Sequence, residues 1–308
     1  MDYARVFTMY LVILGHLYNG ENVFPHHYIH AFHMPLFFFI SGILHKKTEG
    51  SQWKKYFRSL IVPFVVFNFL WFIFYIINPP QFRINICGTL EKISKEHIVH
   101  GPTWFLLSLL YCKIILDFSL KKPILILLLW ICCFFFINNH FLKDIWLAQA
   151  VMAMPFFYIG WRYKDVISEI ANWKWSIRIM GGAFLLIILL LITTWHGRVA
   201  MKGVKFSFDN SSLWLSIPVF YLNAFCGTLM VIFFSTFFKS RVVVTNYAKA
   251  LITILCTQYL FIHPYLYIFG YNASLYITVP VAFVILISCY FIHKFIIKYC
   301  PVIIGYRS

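Results

Sequence analysis

The chain has 308 residues, 61% of them hydrophobic and only 12% charged, an apolar fraction far beyond that of a soluble domain. This excludes a soluble globular protein and leaves an integral membrane protein with a formal net charge of +16. The eight cysteines contain no CxxC pair, so neither a zinc site nor a disulfide framework follows.

Apolar runs of roughly 17 to 25 residues can each cross a bilayer as a helix. They fall near 4–20, 28–45, 59–78, 102–118, 123–138, 145–161, 177–195, 213–238, 250–269 and 275–293. The expected fold is all-α and polytopic, with about ten transmembrane helices. The chain reads as a single transmembrane domain over 1–308, with no appended soluble domain, no cleavable signal peptide and no internal repeat.

The first span is short and carries Asp2, Arg5 and His16 at its ends. A charge at the bilayer centre costs at least about 2.5 to 3.5 kcal/mol, so an ionisable residue there is a candidate site. The span inserts comfortably only if these groups face the bundle interior. Arg5 and His16 are eleven residues apart, within about 20° of three full helical turns and about 16.5 Å in rise. They share one face with Asp2, the Arg at the cytoplasmic end and the His toward the outer half. An Arg can hold phosphate through paired hydrogen bonds, and a neutral His can take a proton from a hydroxyl. The plainer alternative makes Arg5 a snorkelling anchor and His16 a helix–helix hydrogen bond.

The second span begins in histidines and reads FHMPLFFFISG over 32–42. His33, Met34 and Pro35 lie near its outer end, where the proline frees a backbone carbonyl. Ser41 and Gly42 form a small pair that permits close helix approach. The third span opens on KKYFRSLIVP, with Lys54, Lys55, Arg58 and Pro63. The fourth opens on GPTWFLLSLL, with Trp104, and the ninth contains YLFIHP, with His263.

Charge orients the bundle, because cytoplasmic loops collect Lys and Arg. With the N-terminus inside, most of the 26 basic residues fall on the inner side. The outer side keeps Arg83, Lys92, Lys95, Lys143, Arg198, Lys202 and Lys205. Both termini are expected to be cytoplasmic. The net charge mostly records this asymmetry toward anionic lipid, and a nucleic-acid partner has little support. The longest outer loops lie near 79–101 and 196–212, and Cys87 is the one cysteine expected in an outer loop. His26, His27, His30, His33, His97, His100, His140, His196 and His263 cluster at or near the outer side. His26, His30 and His33 have helix-like offsets, but no carboxylate or cysteine accompanies them at ligand spacing. No metal is expected, and the histidines read as the lining of an acceptor mouth or as loop polarity.

These motifs together resemble acyltransferase family 3 of bacterial membrane proteins, which includes sugar O-acetyltransferases. Asp2, Arg5 and His16 in DYARVFTMYLVILGH match its opening pattern, and FHMPLFFFISGIL resembles the second helix of fucose O-acetylases and nodulation-factor acetyltransferases. KKYFRSLIVP resembles its basic third helix, with Lys55 and Arg58 standing where RxxR is usual. GPTWFLLSLL resembles its WFL motif, and YLFIHP its late helix ending in His.

The resemblance implies transfer of an acyl group, acetyl from acetyl-CoA in the first place, to a hydroxyl of an envelope polysaccharide or a lipid-linked sugar. It implies the bacterial cytoplasmic (inner) membrane, and acyl-CoA as a donor substrate rather than a permanent cofactor. Lys55, Arg58 and Arg5 would meet the CoA phosphates, and the pantetheine arm would reach toward His16. His16 would act as general base or carry the acyl group, with Arg5 as its catalytic companion or orienting it through Asp2. His33, Trp104 and His263 would line the acceptor cavity. The rival class is a transporter or flippase for a lipid-linked glycan, which should show paired interrupted helices in two related halves.

Overall fold

A computed structural model describes residues 1–18, 26–46, 53–77, 101–119, the pairs 124–125, 127–128 and 130–131, then 145–196, 211–239, 241–270 and 273–305. The expected outer loops and the fifth span lie outside these residues but for their edges and those three pairs. So do Cys87, His97, His100, His140 and the side chain of His196.

All regular structure among the described residues is helical. We number the helices α1 (Asp2–Leu17), α2 (His26–Ile43), α3 (Trp53–Tyr56), α4 (Val62–Ile77), α5 (Trp104–Ser119), α6 (Leu147–Arg162), α7 (Lys164–Glu169), α8 (Trp175–His196), α9 (Ser211–Ser235), α10 (Val242–Lys249), α11 (Leu251–Thr257), α12 (Tyr259–Phe269) and α13 (Leu275–Tyr299). A π-helical turn, Phe57–Ile61, joins α3 to α4.

Among the described residues, six stretches are long and apolar enough to cross a membrane: Lys54–Phe74, Gly101–Phe118, Trp175–Trp195, Ser216–Ser235, Leu251–Phe269 and Leu275–Tyr299. Each coincides with an expected span. The spans expected near 4–20, 28–45 and 145–161 form α1, α2 and α6. Of these, α1 and α6 have 16 residues each, and α2 is diluted by His26, His27, His30 and His33.

The chain divides into two compact units, one of residues 1–45 and 153–291 and another of residues 46–152 and 292–308. In the first, α8 packs along α9, α9 along α2, and α2 along α1, while α1 also meets α10, α11 and α12. Phe38, Phe39, Phe156, Phe157 and Phe220 are fully buried there, and the Phe156 and Phe225 rings lie 4.4 Å apart.

The approach of α2 to α6 depends on two glycines. A Cβ on Gly42 would collide with the Phe157 carbonyl, and one on Gly160 with the Phe39 carbonyl. The Ser-Gly notch read from the sequence is therefore used, with Gly160 as its counterpart on the facing helix. Arg178, at the start of α8, donates to the Thr236 carbonyl at 3.0 Å and to Thr236 Oγ1 at 3.2 Å. Thr236 directly follows α9, so the cation satisfies a carbonyl just past the helix end.

In the second unit, Tyr56 donates to Asp117 Oδ2 at 2.6 Å, and Lys113 Nζ lies over the Tyr56 ring at 5.3 Å. Asn68 donates to Thr103 Oγ1 at 3.0 Å, tying α4 to the turn before α5. Ser108 donates to the Trp146 carbonyl at 2.9 Å.

Candidate active site

The sequence-predicted residues divide between the two units. Asp2, Arg5, His16, His33 and His263 belong to the first, and Lys55, Arg58 and Trp104 to the second.

Arg5 and His16 occupy the two ends of α1, as the eleven-residue spacing requires. At the N-terminal end, Asp2 sits in the first turn, where the helix dipole favours an acid. Arg5 Nη1 is 3.5 Å from Asp2 Oδ1, both side chains being about a quarter exposed. Thr245 of α10 donates to the other carboxylate oxygen, Oδ2, at 2.8 Å. Asp2 thus stands between Arg5 and α10, which holds the basic end of α1 in place.

At the C-terminal end, His16 enters a group of imidazoles. Its ring meets His30 edge-on at 5.8 Å, His30 lies 4.0 Å from His26 and 4.7 Å from His33, and these three project from one face of α2. His26 Nδ1 lies 2.9 Å from the Gly15 carbonyl and His33 Nδ1 lies 2.8 Å from the Ile29 carbonyl. A carbonyl only accepts, so both imidazoles carry a hydrogen on Nδ1. His26 and His33 are almost wholly buried. Among the described residues, no group of three or more His, Cys, Asp or Glu could hold a metal ion.

The most informative contact was not anticipated from the sequence. Tyr259 Oη lies 3.1 Å from His16 Nδ1, with the two rings 5.3 Å apart. Tyr259 opens α12, where the helical backbone of α11 continues through Gln258, and its ring lies 5.2 Å from that of His263. One helical turn separates Tyr259 from His263, so both project from the same face of α12. The signal was present in YLFIHP, where an aromatic hydroxyl precedes the histidine by four residues.

In the second unit, Arg58 is carried on the π-helical turn Phe57–Ile61. Such turns are often found at functional sites. A cavity of about 540 Å³ is lined by Lys54, Tyr56, Phe57, Arg58, Ile61 and Leu110, while Lys55 is exposed beside them. Gly305, at a φ of +78°, lies so close that a Cβ would collide with the Arg58 carbonyl. The residues after α13 therefore brace the turn that presents Arg58. Trp104 stacks on Trp146 at 5.7 Å, and both are buried. Trp146 has a φ of +61°, a strained value for a bulky residue.

The family description "Acyltransferase domain" matches residues 1–294. No curated protein and no solved structure matches the chain. With the family match spanning nearly the whole chain, helices able to cross a membrane and the opening Asp-Arg-His face in place on α1, the chain belongs to acyltransferase family 3 and is a multi-pass membrane acyltransferase.

Proposed function

We propose that this protein is an O-acyltransferase that moves an acyl group, acetyl in the first place, from cytoplasmic acyl-CoA to a hydroxyl of an envelope polysaccharide or lipid-linked sugar. It works in the bacterial inner membrane as a bundle of about ten helices, with both termini cytoplasmic. The observation that carries this reading is His16, an imidazole held among polar groups at the C-terminal end of α1, with Tyr259 3.1 Å from one ring nitrogen. His16 takes the proton of the acceptor hydroxyl as that oxygen attacks the thioester carbonyl. The carbon–sulfur bond breaks, and the proton passes to the departing CoA thiolate. Arg5 keeps positive charge at the cytoplasmic end of α1, anchored through Asp2. His33 and His263 are assigned to the acceptor, as is Trp104.

Lys55 and Arg58 are assigned to the phosphates of the donor. Arg58 lines a cavity with Lys54 as a second cation, and Arg is suited to two-pronged phosphate capture. Replacing Lys55 and Arg58 together by Ala should raise the KM for acetyl-CoA about tenfold or more while changing kcat little, because each lost phosphate contact removes ground-state and transition-state binding alike. Initial rates at varied acetyl-CoA check this, and an unchanged KM removes both residues from the donor site.

The reading itself is tested by incubating the protein in nanodiscs with radiolabelled acetyl-CoA and a cell-envelope glycan extract. Label is expected in the glycan fraction, in alkali-labile ester linkage. CoA binding without label in any glycan would argue against a sugar acceptor, and absence of CoA binding would overturn the donor assignment.

A further inference from the structure

The last turn of α1 contains Gly15 and His16, and the final carbonyls of a helix have no partner within it. Two of them are satisfied here: the Tyr18 N–H donates to the Leu14 carbonyl at 3.2 Å, and His26 Nδ1–H donates to the Gly15 carbonyl at 2.9 Å. Gly15 also admits the ring of His30, whose Nε2 would lie 3.1 Å from a Cβ at that position. These contacts fix the backbone that carries His16. They do not by themselves choose which nitrogen of its ring holds the proton. A third contact is needed to choose between the two nitrogens, and Tyr259 is at that position.

We propose that Tyr259 is a positioning residue of the transfer reaction: its hydroxyl oxygen accepts the Nδ1–H of His16 and so keeps the Nε2 lone pair as the reacting one. The inference rests on the reading of His16 as the group that takes the acceptor's proton. A neutral imidazole has one N–H and one lone pair. Were Nδ1 the bare nitrogen, the phenol would donate its own hydrogen to it across the same 3.1 Å, and Nε2, already carrying a hydrogen, could not take a proton from the acceptor. With the hydrogen on Nδ1, the phenol oxygen is its acceptor and Nε2 faces away from Tyr259 with its lone pair bare. When Nε2 takes that proton, the ring becomes a cation and the Nδ1–H to Tyr259 bond becomes charge-assisted, hence shorter and stronger. The contact therefore favours the protonated intermediate over the resting imidazole. Should His16 instead carry the acyl group, the same tautomer presents Nε2 as the nucleophile.

Tyr259 does not touch the reacting atoms. The two ring nitrogens point to opposite edges of the imidazole, so a phenol on Nδ1 is too far from a hydroxyl on Nε2 to steady the oxyanion formed there. Its own ring packs beside that of His263, one turn further along α12. His263 is thereby connected to His16 through Tyr259 as an intermediary.

The test is ¹⁵N NMR of histidine-labelled protein in nanodiscs, with the His16 signals assigned by their loss in His16→Ala, alongside kinetics of Tyr259→Phe. In the wild type, His16 Nδ1 is expected to be protonated and Nε2 bare. Tyr259→Phe removes one oxygen, and should populate both tautomers, lower kcat roughly 100-fold, and leave the KM for acetyl-CoA within about twofold. A protonated Nε2 in the neutral wild-type ring overturns the proposal, as does a Tyr259→Phe protein with wild-type kcat. If that variant fails to elute as a folded species, the wild-type spectrum alone decides the tautomer. The two readings fail separately: a bare Nε2 in a protein that labels no glycan keeps the positioning role and discards the sugar acceptor. Active transfer with Nε2 protonated does the reverse.

Discussion

His16→Ala should reduce acyl transfer by at least about a thousandfold, the upper part of the range for losing a positioned general base, while the protein still inserts and elutes as the wild type does. Loss of the imidazole removes both the proton acceptor and the partner of Tyr259. His16→Gln separates the two effects, since its amide can still hydrogen-bond to a phenol but cannot take a proton near neutral pH. The Gln variant should therefore be as inactive as the Ala variant and at least as stable. Label transfer from acetyl-CoA to glycan is the measurement, and a His16→Ala protein that retains appreciable transfer sinks the assignment of His16. A Gln variant with substantial activity would mean that hydrogen bonding, not proton transfer, is what His16 supplies.

The largest effect on stability is expected where α2 crosses α6. A methyl at Gly42 would meet the Phe157 carbonyl with no clearance and lie 3.0 Å from the Trp161 nitrogen, and one at Gly160 would meet the Phe39 carbonyl. All these partners are backbone atoms, which cannot rotate away as a side chain can, so the helices must move apart. Separation forfeits the packing on which helix association in lipid depends. Gly42→Ala and Gly160→Ala should each cost about 3 kcal/mol, at the upper end for an overpacked core. The double variant should lose clearly less than the sum, because a crossing already opened for one methyl accommodates the other. Thermal unfolding in detergent reads both effects. A Gly42→Ala protein as stable as the wild type would mean that the crossing is looser than the structure has it, and full additivity would mean that the two glycines act independently.

Much of the fold was legible because hydropathy is local. The six long apolar helices coincide with runs that can be found by composition alone, since a segment without water must satisfy its own backbone and becomes helical. The short first span was legible for a different reason. Its helical period puts Asp2, Arg5 and His16 on one face whatever surrounds them. The Ser41-Gly42 notch was readable too, since a small residue in an apolar helix signals a close neighbour, although which helix would fill it was not.

What the sequence determined by itself was therefore membrane insertion, helical periodicity, the face shared by Arg5 and His16, and through its motifs the acyltransferase family. Tertiary structure alone decided what those residues touch. The contacts of His16 with Tyr259 and of Asp2 with Thr245 each bridge 243 positions of the chain. No local propensity encodes such pairings, which arise only when α1 packs against α10, α11 and α12. The facing glycine Gly160 and the bracing of Arg58 by Gly305 belong to the same class. Each is a contact between segments far apart in sequence, and its partner is chosen by the packing of helices rather than by the residues on either side.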